Sequence, residues 1–533
     1  MDSSALLPHQ LPHASKLFRD YVENFTKVQS FYEHPPDLKA AIRLAHELDF
    51  PADRRREVVD ILRAQNLNYG SGAETAKNLD LLAEGAVAVV TGQQVGLFGG
   101  PAYAFYKALS AIRAAQELIH KGTPAVPVFW MATEDHDVDE VRHVTWFHDG
   151  ELQSFALPKP AEDAIPVGRI CLGAEVDELV RRVQPLLGET FGNLLHETYA
   201  PTATYGSAFA ALFARIFSDY GLILLDPLDD RLHRVAAPIL QDALVERDEV
   251  NELLLQRGKE LDHAGYEVQV KVTSRSTLLF SLEEGKRLVI TAANGEFSNG
   301  AQTMPRESWL RRVELTPEAF SPNALFRPVL QDFLLPTVAY FGGPSEIAYY
   351  AQSHVLYRKL LGRMPVLFPR ADFTLVDPKG VRLLKKYHLQ VDDVWRGSQT
   401  LRNRMYNSAV PKKLAREFDS NFRHVEKAIR KLHKAIAKVD PTIQGTIARA
   451  EKRIRYQIEK LRHKTGAALD RHEKLIEQHE QFLENLLYPR KELQSRDLCF
   501  LPFLARWGSG GLNELQSLAS PKKPGRHCIV PIP

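Results

Sequence analysis

The stretch "FWMATEDHDVDEV", Phe129 to Val141, gathers Glu134, Asp135, His136, Asp137, Asp139 and Glu140 into one short run. Carboxylates this dense repel one another unless some face water, share protons or meet a cation. Hard oxygen ligands suit Mg²⁺ rather than zinc, so Asp135 and Asp137 are candidate Mg²⁺ contacts and no zinc is expected. An imidazole between Asp135 and Asp137 would titrate above its ordinary range if either lies close, which suits proton transfer near neutral pH. Glu134, Asp135, His136 and Asp137 are therefore the candidate catalytic group. The bland alternative is a solvated acidic loop.

Two further stretches carry recognition chemistry. "TGQQVGLFGGPAY" contains Thr91, Gly92, Gln93, Gln94, Gly96, Gly100, Pro101 and Tyr103, with Lys107 two turns further on. Glycines there let backbone amides approach a ligand, and a helix starting at Pro101 offers its positive dipole end to an anion. The paired glutamines can read an amide, a sugar or a carboxylate. The alternative is tight strand–helix packing with surface glutamines. The spacing is neither G-x-x-x-x-G-K-[ST] nor G-x-G-x-x-G. In "SPNALFRPVLQDFLLPTVAYFGGPSEIAYYAQ", Asn323, Arg327, Gln331 and Asp332 recur at near-helical spacing, and Arg327 is a candidate clamp for a carboxylate or phosphate. Gly342-Gly343-Pro344 then repeats the earlier grammar ahead of Glu346 and Tyr349.

Elements must bring these stretches together. "VAVVTG" reads as a buried strand, "PAYAFYKALSAIRAAQELIHKG" as the following helix and "AVPVFWMA" as a second strand. Strand, turn, helix, strand is a βαβ unit and predicts a parallel sheet, whose ligands bind beyond the strands' carboxyl ends. "GLILLDPLDD" is another strand, "TLLFSLEEGKRLVITA" an inserted hairpin, and "MPVLFPRADFTLVD" more strand material. From Phe418 to Val439 apolar residues alternate steps of four and three, as in a coiled coil. Asp440 and Pro441 start a second helix, so residues 411–487 read as an antiparallel helical hairpin hinged at Val439 to Thr442. The division expected is 1–380 for an α/β core, 381–490 for the helical domain and 491–533 for a segment returning to the core.

The chain has 533 residues, 44% apolar and 25% charged, with a formal net charge of +2. Near balance argues against a polybasic nucleic-acid binder, and the hairpin's basic residues lack interleaved aromatics. Cys171, Cys499 and Cys528 are scattered, which excludes a disulfide framework and a thiolate zinc site and fits a reducing cytoplasm. No apolar run is long enough for a membrane span. Apolar stripe left over on the hairpin makes a second copy of the chain the expected partner.

Together the three stretches, in this order, resemble the cysteine ligase family of bacillithiol biosynthesis (BshC), over nearly the whole chain. The resemblance implies a Rossmann-like core similar to class I nucleotidyl transferases, with a coiled-coil domain used in dimerisation. It implies a ligase that joins L-cysteine to glucosaminyl malate, with ATP activating the carboxylate through a cysteinyl adenylate. It matches Gln93, Gln94, Gly96, Gly100, Pro101 and Tyr103 in the first stretch, Glu134 to Asp137 in the second, and Gly343, Glu346 and Tyr349 in the third. The H-x-G-H signature of class I nucleotidyl transferases has no counterpart here, where the first helix start reads "GGPAY". The rival readings are a class I-like nucleotidyl transferase acting on another small acid, and a non-catalytic coiled-coil or RNA-binding protein.

Overall fold

The computed structural model describes residues 4–409, 412–439, 444–469, 473–508 and 510–533. At its centre lies a parallel sheet of five strands: β1 (Val87–Gln93), β2 (Ala125–Met131), β3 (Ile223–Leu225), β4 (Thr337–Gly342) and β5 (Val366–Pro369). Their order across the sheet is β5-β4-β1-β2-β3, every pair parallel. The chain builds outward from β1 in one direction, then crosses over and builds outward in the other. This is the order of a Rossmann half, and its switch point lies between β1 and β4.

The strands are apolar on both faces because both faces are covered. Val87 and Val89 pack on one side, with Ala111, Ala115 and Leu118 of helix α1 (Tyr103–His120). Ala88 and Val90 pack on the other side, with helices from the amino-terminal region. Helix α1 ends at Gly122, whose φ of +83° an L side chain rarely adopts. The second glycine-proline turn opens helix α2 (Pro344–Leu360).

The inserted hairpin is part of a larger antiparallel sheet. Ser276–Glu283 pairs with Lys286–Ala293, and Glu296–Ser298, Thr303–Pro305 and Phe320–Pro322 complete five strands. "MPVLFPRADFTLVD" divides between two sheets. Its first half is β5; its second, Asp372–Val376, runs parallel to the carboxyl-terminal strand His527–Pro531, which also pairs with Ser4–Leu6.

The helical arm comprises α3 (Lys412–Val439) and α4 (Gln444–Leu469), followed by α5 (Glu473–Leu487). Arg455 Nη2 lies 2.6 Å from Glu426 Oε1, and Arg462 Nη1 lies 2.8 Å from Asp419 Oδ1. One index falls by seven as the other rises by seven, so α3 and α4 run antiparallel. Most of the proposed hinge, Asp440 to Thr442, lies outside the described residues. No helix among the described residues is long and apolar enough to cross a membrane.

Candidate functional site

A cavity of about 800 Å³ opens at the carboxyl edge of the parallel sheet, over the switch point. Its floor comes from the ends of β1, β2 and β4, and its far wall from the inserted antiparallel sheet and the helix Arg247–His263. Gln94, His136 and Glu346, distant in sequence, all face this space.

Lys107 and Glu346 tie the two sides of the switch point together. Lys107, on α1, is buried; its ammonium pairs with Glu346 of α2 and donates to the Gly92 carbonyl and to Gln93 Oε1, both at 2.7 Å. Glu346 Oε2 also accepts from the Gly343 N–H at 2.7 Å, and its other oxygen accepts from the Tyr340 hydroxyl at 2.5 Å. Burial alone would raise the Glu346 carboxyl, yet the Lys107 charge and these donors hold it below its ordinary value. Burial depresses the Lys107 ammonium while Glu346 pulls it back up. The pair is therefore ionised, and Lys107 braces the floor rather than reaching for a phosphate.

Glu134 and Asp135 follow β2. Glu134 is 6% exposed, and burial pushes its carboxyl up to about 8 against the lowering pull of Arg287. Its Oε1 lies 3.5 Å from His233 Nε2. Asp135 Oδ2 accepts from Gln94 Nε2 at 2.7 Å, and Oδ1 accepts from the His136 N–H at the same distance. His136 Nδ1 stands 3.7 Å from Asp135 Oδ1 and 3.3 Å from Arg287 Nη1, so the imidazole has a cation beside it as well as a carboxylate. Burial raises the Glu140 carboxyl, which also faces the cavity, while a bond from Gln94 lowers it.

Arg327 reaches the cavity from the start of the helix Arg327–Leu334. Its Nη1 donates to Gln331 Oε1 at 2.9 Å, and its guanidinium lies over Trp130 and Tyr340. Burial opposes its charge, but the surrounding Tyr340, Tyr349 and Tyr350 hydroxyls raise it further. Tyr349 and Gly343 line the same wall.

Several expected site residues lie elsewhere or do another job. Gly96, Gly100 and Pro101 do not line the cavity. Gly96 and Gly100 pass so close that a Cβ on Gly96 would sit 2.7 Å from the Gly100 Cα. Pro101 bridges to Cys499, the Ala102 N–H goes to the Leu498 carbonyl, and the Gly99 N–H goes to the Tyr199 hydroxyl. The glycines serve tight packing, and the start of α1 meets protein rather than a ligand. Thr91 is also buried, donating to the Phe341 carbonyl at 2.7 Å, and so stitches β1 to β4. Asp137 caps the short helix Val138–Val141, accepting from the Glu140 N–H at 3.2 Å, and does not line the cavity. Asn323 touches the cavity, but its Oδ1 accepts from the Leu325 and Phe326 N–H groups and its Nδ2 donates to Thr277, so its own groups hold the turn. Gln331 and Asp332 are wholly buried behind Arg327 rather than forming a polar face with it.

Sequence reasoning passed over Arg287, Arg370, Arg496 and Tyr340, all of which line the cavity. Arg287 sits in the hairpin, where nothing in "EEGKRLV" separates it from a surface cation. In the fold its Nε donates to Ser321 Oγ at 2.9 Å and its guanidinium lies 3.9 Å over the Phe280 ring. The cavity thus carries Glu134, Asp135 and Glu140 on one side and Arg287 and Arg370 among its cations. Such a site suits a substrate bearing both carboxylate and amine. Among the described residues no group of three or more His, Cys, Asp or Glu is placed to hold a metal ion.

A family model described as "Bacillithiol biosynthesis BshC, N-terminal Rossmann-like domain" matches residues 5–371, and one described as "Bacillithiol biosynthesis BshC, C-terminal coiled-coil domain" matches residues 373–532. Three relatives share the name "Putative cysteine ligase BshC". The protein of Koribacter versatilis is 40% identical over 504 residues, covering 94% of either chain. That of Solibacter usitatus is 39% identical, covering 95% of this chain and 96% of its own. That of Geobacillus kaustophilus is 30% identical over 98% of both chains.

Proposed function

The chain belongs to the BshC family of bacillithiol biosynthesis, and from that premise we propose that it is a carbon–nitrogen ligase joining L-cysteine to glucosaminyl malate. The observation that carries the proposal is the pairing, in one cavity, of a buried carboxyl titrating near 8 with a set of cations. An amide bond forms between the cysteine carboxyl carbon and the sugar amine. The amine must lose a proton to attack, and the carboxyl must lose an oxygen.

Glu134 is the proton acceptor in this reading. Its raised pKa matches the task, because a base titrating near the working pH combines availability with basicity. His136 and Asp135 sit next to it and hold the amine through the Gln94–Asp135 pair. Arg327 and Arg287 hold carboxylates of the malyl group. ATP, when bound, would take up that carboxyl oxygen on phosphorus, so that it leaves with AMP or phosphate when the C–N bond forms. Arg496, which lines the cavity beside the start of α2, is the residue that would meet its phosphates, since the glycine turn before α1 is closed by packing. Were Mg²⁺ to enter with ATP, Asp135 and Glu140 are the cavity carboxylates that would hold it, and it would offset the phosphates' charge.

The test is direct. Purified full-length protein is incubated with L-cysteine, glucosaminyl malate and Mg·ATP, and the product mass is followed with time. Condensation that needs all three supports the proposal. Absence of product with ATP or any other nucleoside triphosphate sinks it.

A further inference from the structure

We propose that Arg370 is an anion-binding group of the cavity and that His527, on the carboxyl-terminal strand, positions it through Asp372. The inference rests on the reading of the cavity as the substrate site, and it adds the last strand of the chain to that site.

Arg370 stands between β5 and the strand Asp372–Val376, where the chain leaves one sheet for the other. Its side chain is only 6% exposed and lines both the main cavity and an adjoining one of about 270 Å³. Its Nη1 donates to Asp372 Oδ1 at 2.6 Å and to the Ala371 carbonyl at 3.0 Å. Among the described residues, Nε and Nη2 have no hydrogen-bond partner. They form one edge of the guanidinium, and such an edge meets a carboxylate or phosphate with two parallel bonds. Gly343 lies beside that edge: a Cβ added there would come within 3.9 Å of Arg370 Nε.

Asp372 could swing away from Arg370 if its second oxygen were free. It is not. Oδ2 accepts from His527 Nδ1 at 2.9 Å, which leaves Nε2 to accept from the Thr374 hydroxyl at 2.7 Å. The His527 ring is wholly buried, with Trp395 packed edge-on against it at 5.5 Å between centroids. Burial would raise the Asp372 carboxyl, but Arg370 and His527 hold it far below the usual carboxylate range. The carboxylate is thus a fixed anion, clamped on one side by the last strand, with the guanidinium aimed from its other side into the cavity. The second clamp on Asp372 exists only once residue 527 is seated beside residue 372.

The test uses the full-length protein and two readouts: equilibrium binding of L-malate as an anionic probe, and KM against kcat in the condensation. His527→Phe keeps the volume and removes the bond to Asp372, whereas His527→Asn keeps a donor on that side. The expected result is malate affinity lowered about tenfold in His527→Phe and in Arg370→Lys, the order expected for loss of a charge-assisted contact, with His527→Asn within about twofold of wild type. KM for glucosaminyl malate rises in parallel, while kcat stays within about threefold. Where His527→Phe does not fold, Asp372→Asn puts the same question from the other side and gives the same loss. Unchanged malate affinity in folded His527→Phe or Asp372→Asn overturns the coupling, and unchanged affinity in Arg370→Lys, or no malate binding by wild type, overturns the anion site. Because binding is read without turnover, a protein that binds malate as expected but forms no product leaves this inference standing and removes only the proposed reaction.

Discussion

Glu134 keeps its proton until about pH 8 because it is buried, and the consequences are measurable. In its proposed role as the base it must be ionised, so the condensation rate is expected to rise with pH through that value. Glu134→Gln lowers kcat by roughly 10²–10⁴-fold with little change in KM, and the rising limb of the pH profile disappears. The same shift acts on stability with a definite sign. The folded carboxyl titrates near 8 and the unfolded one at its ordinary value of 4.5, so between them the folded state binds the extra proton. Stability therefore falls as pH rises across that window, by about 1.4 kcal/mol per pH unit from this group, and is unaffected by it below the window. Denaturant titrations of wild type and Glu134→Gln at several pH values separate the contribution. Lys107 gives the opposite case. Lys107→Met leaves Glu346, whose side chain is 18% exposed, without its cation, and the expected loss is about 2–3 kcal/mol in urea unfolding, below that of a fully buried pair.

At the scale of elements, two motifs with the same grammar turn out to do different work. After β4, the glycine-proline turn frees a helix start whose Glu346 and Gly343 face the cavity. After β1, the glutamines face the cavity, while Gly99, five residues past Gln94, donates its N–H to the Tyr199 hydroxyl and Pro101 bridges to Cys499. A side chain in the packed turn has no room. A Cβ at Gly99 would lie 2.6 Å from the Phe105 ring, on a backbone with φ of +86°. Gly99→Ala is expected to cost about 2 kcal/mol in unfolding free energy through overpacking and strain, with KM unchanged in the surviving folded protein. A large rise in KM without loss of stability would place a ligand there after all. The sequence showed where glycines were needed but not which surface they approached, because close approach to protein and to ligand demand the same residue.

At the scale of the molecule, the helical arm leaves apolar surface uncovered. Leu432, Ile454 and Leu461 are about half exposed, and Tyr456 is 60% exposed, although the first three continue the apolar stripe of α3 and α4. A second copy of the chain is the proposed cover. Sedimentation at micromolar concentration is expected to give a dimer, and the pair Leu432→Glu with Ile454→Glu a monomer that keeps its melting temperature. A wild-type monomer at that concentration removes the proposal.

What the sequence determined by itself was local and periodic. The alternation from β1 through α1 to β2, the hairpin at 276–293 and the four-three stripe of the arm are set by neighbouring residues, so they could be read from neighbours. The sheet's carboxyl edge followed from the βαβ order, and with it the meeting of Gln94, His136 and Glu346. Only the tertiary structure decided which cations join them. Arg287 comes from an inserted sheet, and Arg370 gets its orientation from a strand more than 150 positions away. A guanidinium's role depends on what desolvates it and what anion holds it, and neither is written in the residues beside it.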